Sequence, residues 1–253
     1  MFLSFTLGSL YLIFQHRRAI LKGIVLPFIL YTLLQLVRYG LVYSGYYIDD
    51  ASLFLHVFYI FADIAIVTIV SLNTMRIVLL NENPTLFKLK PARRDVKFFL
   101  YSVGFLALWI VPGLFIGASL PLMMYSAFMG VIPLTFFLIG LFFTLRLSLL
   151  FVGVALDRDI SMRESFDMTR SSQWSLFFTL ALLVTLLFVF HYSVEVLISS
   201  TGSDVFGLLS FFLITPLVDM FVYVFTAIVL TILYSNAYQP AVGSQVGHPR
   251  DAR

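Results

Sequence analysis

The chain reads as an all-α, polytopic transmembrane helical bundle of six spans, and three observations predict it. Of its 253 residues, 60% are hydrophobic and only 11% are charged, with a mean hydropathy of +0.99. A soluble domain of this size needs far more charge to cover its surface. The apolar residues come in six runs of about 20, long enough to cross a hydrocarbon core of ~30 Å and too long for ordinary core helices. The basic residues fall almost entirely on one side of a six-span layout, and the positive-inside rule makes that side cytoplasmic.

Taken in order, residues 1–18 come first. Phe2 to Phe14 is apolar but would reach only about 20 Å as a helix, too short to cross. It is expected to be a separate helix lying in or dipping into the cytoplasmic interface. Its basic residues, Arg17 and Arg18, follow the apolar stretch, and no small-x-small site comes after them, so it does not read as a signal peptide. The six-span domain covers residues 19–238. The spans are expected at Ala19 to Tyr43, Ser52 to Thr74, Phe98 to Leu120, Ala127 to Leu149, Ser175 to Leu197 and Val205 to Leu233. Residues 239–253 lose apolar periodicity and carry Pro240, Gly243, Gly247 and Pro249, so a disordered tail is expected. Gly23 to Pro27 and Gly130 to Pro133 open two spans alike. Three helices per half would make an inverted repeat, but glycine and proline are common in membrane helices anyway, and that reading is favoured.

Charge fixes the orientation. Arg17, Arg18 and Lys22 stand before or at the first span, and Arg76 ends the second. Lys88, Lys90, Arg93, Arg94 and Lys97 fill the loop after it. Arg146, Arg158, Arg163 and Arg170 surround the loop after the fourth, and Arg250 and Arg253 lie in the tail. Only Arg38 is on the other side, where Asp49, Asp50, Glu195 and Asp204 are found. Both termini are therefore expected in the cytoplasm.

The chain has no cysteine, which removes thiolate metal sites, disulfides and cysteine nucleophiles from consideration. There is no phosphate-cradling glycine loop, nucleophile elbow or His-Glu-x-x-His motif, so no catalytic residue, metal or cofactor is expected, and no nucleic-acid partner. Two carboxylates sit within spans, Asp63 and Asp219. A charge at that depth costs about 2.5–3.5 kcal/mol or more, so such residues face the protein interior. His56, Asp63, Ser71 and Thr74 can share one helix face, and so can Thr215, Asp219, Tyr223 and Thr226. A polar cluster of Asp63, Asp219 and His56 is expected, with no arginine or lysine at matching depth. It either binds protons or ions, or bonds helix to helix with one acid neutral. His191 and Glu195, spaced i, i+4, can bond to each other at the outer end of span five.

The loop between spans four and five carries a capping-box pattern, Ser161-Met162-Arg163-Glu164. A short cytoplasmic amphipathic helix should follow, with Met162, Phe166 and Thr169 facing one way and Arg163, Asp167 and Arg170 pairing along another side. Arg163, Glu164, Asp167 and Arg170 would make it a docking helix or simply a solvated one. Lys88, Lys90, Arg93, Arg94 and Lys97 would contact anionic lipid headgroups, or serve topology alone.

Two stretches carry a resemblance. Met75-Arg76-Ile77-Val78-Leu79-Leu80-Asn81-Glu82-Asn83-Pro84 ends span two. Arg146-Leu147-Ser148-Leu149-Leu150 leads through Ala155-Leu156-Asp157-Arg158 to Ser161, Arg163, Glu164, Ser165, Phe166, Thr169, Arg170 and Trp174. Both are similar to bacterial inner-membrane proteins that include the membrane domain preceding the catalytic domain of some glycerophosphoryl diester phosphodiesterases. Members often have histidine where this chain has Met75, and the phosphodiesterase domain is absent here. The resemblance implies a non-catalytic module of the bacterial inner membrane. The sequence favours an accessory or scaffold subunit that contacts lipid and packs against a membrane-protein partner or its own copies. The alternative is a small transporter or lipid-handling protein that uses Asp63 and Asp219.

Overall fold

The computed structural model describes residues 2–43, 52–82, 92–123, 131–201, 207 and 210–246. Among these residues the chain is helix and turn, without a strand. The helices are α1 (Phe2–Tyr43), α2 (Ser52–Leu80), α3 (Arg93–Met123), α4 (Val131–Leu147), α5 (Leu149–Ala155), α6 (Met162–Thr169) and α7 (Gln173–Thr201). A π-helical turn (Ser210–Ile214) then runs into α8 (Thr215–Val246). Six stretches are long and apolar enough to cross a membrane: Leu3–Leu41, Phe54–Leu80, Arg93–Leu114, Thr135–Ala155, Gln173–Ile198 and Phe212–Tyr238. The protein is an all-α, multi-pass membrane bundle.

α1, α2 and α8 pack together as the centre, while α3 pairs with α4 beside them. One apolar core joins Ile20, Tyr31, Ile66, Val70, Val224 and Ile228 along this central trio. A second joins Phe5, Met75, Phe98, Leu149, Leu176 and Leu233 towards the end where α5 and α6 sit. α3 and α4 approach closely at Gly140, where a Cβ would come within 3.2 Å of Pro112 Cγ. The Trp109 ring packs over the same glycine, and its indole N–H bonds to Thr144 Oγ1 at 3.1 Å. That bond supplies the polar partner a buried indole needs.

Four boundaries differ from the sequence expectation. Residues 1–18 are not a separate interfacial helix, because α1 continues without interruption from Phe2 through Arg18 to Tyr43. No glycine, proline or capping residue stands between Ile13 and Lys22 to end it. Its first turns pack into the bundle: Phe5 and Ser9 are buried, and Gly8 faces Ile232 of α8. At the other terminus α8 runs on to Val246, past the expected end at Tyr238. Loss of periodicity and Pro240 disfavour helix there but do not forbid two more turns. Residues 247–253 lie outside the described residues. The fourth span is built from α4 and α5 with a turn at Ser148. Ser148 keeps helical angles (φ −59°, ψ −29°), and its hydroxyl bonds to the Leu145 carbonyl at 2.8 Å. The sixth span opens with the π-helical turn instead of a regular helix.

α5 ends by geometry that the sequence leaves hidden. Asp157 takes the left-handed conformation at φ 57°. Its N–H bonds to the Val154 carbonyl at 3.1 Å, and the Arg158 N–H bonds to that of Gly153 at 2.9 Å. These two bonds are the Schellman pattern, usually built on glycine. The turn presses Ile160 against Gly153, where a Cβ would meet Ile160 Cγ1 at 2.7 Å and the Arg158 carbonyl oxygen at 2.9 Å. Gly153→Ala should therefore lower stability by about 1–3 kcal/mol through overpacking, despite alanine's better helix propensity. Unfolding in mixed detergent is the check, with Gly104→Ala as control, since Gly104 faces open space.

Candidate functional site

Two polar assemblies stand out from the apolar bundle. The first is a knot around Arg76, a buried guanidinium near the end of α2. Its Nε donates to Glu82 Oε2 at 2.7 Å, its Nη1 to the Ala155 carbonyl at 2.6 Å and to Asp157 Oδ2 at 3.2 Å, and its Nη2 bonds Glu82 Oε1. Asn81, left-handed at φ 52°, turns the chain so that Glu82 can reach back. Asparagine tolerates that angle better than most residues. Asp157 is shared with Arg94 of α3 at 2.7 Å. The Asp157 that caps α5 thus also ties α2 to α3. The end of α2 and the segment after α5, far apart in sequence, meet at this point.

The knot extends through Arg158, whose guanidinium reaches Glu164 Oε1 and Tyr234 Oη, each at 3.1 Å, and stacks over the Tyr238 ring. The capping box is consequently half formed. Ser161 Oγ accepts from the Glu164 N–H at 3.1 Å, but the Glu164 carboxylate goes to Arg158 instead of the Ser161 amide. A charged donor outcompetes a neutral one. The buried face of α6 consists of Ser165 and Thr169, with Phe166 beside Phe142 and Phe143. Met162 points outward, contrary to the sequence expectation. Ser165 Oγ donates to the Arg146 carbonyl at 2.7 Å, and Arg146 Nη1 to that of Phe166 at 2.8 Å. These bonds fix α6 to α4. Of the expected docking residues, Glu164 is used internally. Arg163, Asp167 and Arg170 are exposed, with no ion pair among them in the described residues.

The expected headgroup residues divide. Lys88 and Lys90 lie outside the described residues. Arg94 serves the knot, and Lys97 is ion-paired with Asp159. That bond holds the Asp159 carboxyl below the usual carboxylate range. A depressed carboxylate contributes stability that is present above its unfolded value of about 3.9 and lost as the pH falls through the lower folded value. Asp159 is fully exposed, so the contribution is small. Arg93 is exposed.

The second assembly lies inside the bundle. Thirteen residues of α2, about 20 Å of helix, separate Asp63 from Arg76. Asp219 Oδ2 accepts a hydrogen bond from Tyr31 Oη of α1 at 2.9 Å. Tyr223, one turn beyond Asp219, stands beside Tyr31. Asp63, on the same face of α2 as Ile66 and Val70, is within electrostatic range of Asp219. Both carboxyl groups are half-buried. Asp63 Oδ1 is enclosed and has no hydrogen-bond partner among the described residues. Arg38 lies within electrostatic range of Asp63, and His191 within that of Asp219.

The two acids lie within electrostatic range of each other, and Tyr31 bonds Asp219. His56 lies about two turns from Asp63 along α2 and is exposed. Arg38, about two turns beyond Tyr31 along α1, lies within electrostatic range of Asp63. His191 does not use Nδ1 for Glu195. That nitrogen bonds the Leu187 carbonyl at 2.9 Å, so it carries the proton; the Glu195 side chain is outside the described residues. Tyr31 and Arg38 were missed, yet both left a signal. A phenol within a span needs a polar partner, and a lone cation on the acidic side needs an acid.

No family model, curated protein or solved structure matches the chain.

Proposed function

We propose that the chain is a non-catalytic membrane protein of the bacterial inner membrane that handles a proton or small cation at the carboxyl pair Asp63–Asp219. One observation carries this reading: Asp63 Oδ1 is buried with no bonding partner among the described residues, within electrostatic range of a second acid. An unsatisfied carboxyl oxygen in a low-dielectric interior is costly. Two neighbouring acids there do not both ionise unless a cation joins them. A site that needs a proton or cation to be complete is suited to binding and releasing one. Tyr31 and Tyr223 supply hydroxyls that can follow the change, and Arg38 and His191 bias it. The experiment is flux in proteoliposomes. An imposed pH or sodium gradient should collapse faster with the protein present, and vesicles no leakier than protein-free controls would count against the proposal.

A second reading, an accessory or scaffold subunit, has its own support. The most apolar stretch of α7 has none of its residues buried, and its outward face carries the exposed rings of Trp174, Phe178, Phe188 and Tyr192. Aromatic side chains are favoured anchors at protein interfaces. The likeness of the Arg76 and Arg146–Trp174 stretches to a non-catalytic membrane domain also supports this reading. A stoichiometric membrane partner retained in mild detergent, with no flux, would place it first.

A further inference from the structure

A groove of about 610 Å³ opens beside the Arg76 knot, at the mouth of the α3 span. Its charged lining is Arg93, Arg94, Lys97 and Arg158 against Asp157 and Asp159, a surplus of two positive charges. The remainder of its lining is apolar, from Val96, Leu100 and Val154. The acids are engaged on one side by Arg76, Arg94 and Lys97, while Arg93 stands exposed at the lip.

The apolar part does not stop at the groove. Val96 and Leu100 are exposed, one helical turn apart on α3. The same face continues through Gly104, where a side chain would meet nothing within 4 Å, to exposed Leu108. From Val96 to Leu108 the stripe is about 18 Å long and runs into the span. A cationic cup that opens onto an uncovered apolar stripe has the two-part chemistry of a single ligand, a phosphate attached to an acyl chain.

We propose that this groove is a binding site for an anionic phospholipid, its headgroup phosphate held by Arg93 and Lys97 with Arg158 behind them, and one acyl chain lying along Val96, Leu100, Gly104 and Leu108. The site is independent of the carboxyl pair, so either can fail without the other. Each of these cations is worth about a five-fold change in affinity for an anionic headgroup. Lys97 then has two acceptors, Asp159 and the phosphate, and binding draws its ammonium between them.

The test is binding of short-chain phosphatidylglycerol to the full chain in non-ionic detergent, beside phosphatidylcholine and inorganic phosphate. Phosphatidylglycerol should bind more tightly than phosphatidylcholine and resist displacement by inorganic phosphate, because the stripe contributes. Arg93→Gln should weaken binding about five-fold, and Arg93→Gln with Lys97→Gln about twenty-five-fold. Leu100→Glu should weaken it through the stripe. Arg93 and Leu100 are exposed, so their variants should unfold like the parent chain without lipid. Should the Lys97 variant fold poorly, Arg93→Gln and the comparison of the two lipids decide alone. Equal binding of both lipids, full displacement by phosphate, or an unchanged Arg93→Gln affinity would overturn the proposal.

Discussion

Arg76→Met should destabilise the folded chain by about 2–3 kcal/mol, the largest loss expected from a single side chain at the basic end. Methionine fills much of the volume but leaves the Ala155 carbonyl and one side each of Glu82 and Asp157 without a donor. Breaking a fully buried ion pair from one side costs about 3–5 kcal/mol. Glu82 and Asp157 are about half exposed, at 46% and 55% of their side-chain surface, and water recovers part of that. The hydrogen bonds that remain unmade account for the rest. Asp157→Asn should cost less, because asparagine keeps the left-handed angle and only the charge is lost. Denaturation in mixed detergent, following helical content, measures both. Equal losses for the two variants would mean that the Asp157 charge, shared by Arg76 and Arg94, and not the further bonds of the Arg76 guanidinium, holds the knot.

Asp219→Asn should abolish flux while leaving the fold intact. The amide oxygen can still accept from Tyr31, so the helix contact between α1 and α8 survives, but the side chain can no longer take up or release a proton. Tyr31→Phe should do the opposite in degree. It removes the bond to Asp219 at a cost of about 1 kcal/mol and slows flux without ending it, since the carboxyl remains. Asp63→Asn should match Asp219→Asn, because the pair acts together. A folded Asp219→Asn protein with parental flux would remove the carboxyl pair from any transport role and leave the exposed α7 face as the better guide to function.

The layout of spans was legible because membrane insertion imposes a strong, local rule: about 20 apolar residues in a row, whatever they pack against. Asp63 and Asp219 were legible for the same reason, as exceptions to that rule. What the rule does not cover was harder to read. The continuity of α1 through Arg17 and Arg18 rests on the lack of a breaker between Ile13 and Lys22 and on the tertiary burial of Phe5 and Ser9, and the second is not written in the local sequence. The side chain of Glu164 answers to Arg158, a residue whose position is set by the left-handed turn at Asp157. Nothing in the local pattern of Ser161 to Glu164 reveals that competition. Tyr31 finds Asp219 across the bundle, at a sequence distance no periodicity can span.

Water access to the carboxyl pair is the most direct test of the account. The chain contains no cysteine, so Asp63→Cys and Asp219→Cys each give a single thiol in an otherwise unreactive background. Only a thiolate reacts readily with a charged thiosulfonate reagent, and a thiolate requires water. Leu182→Cys, on the outward face of α7, is the lipid-facing control. The account predicts labelling at both acid positions from at least one side of the membrane and none at the control. A core in which neither thiol is labelled, in folded protein, would contradict it.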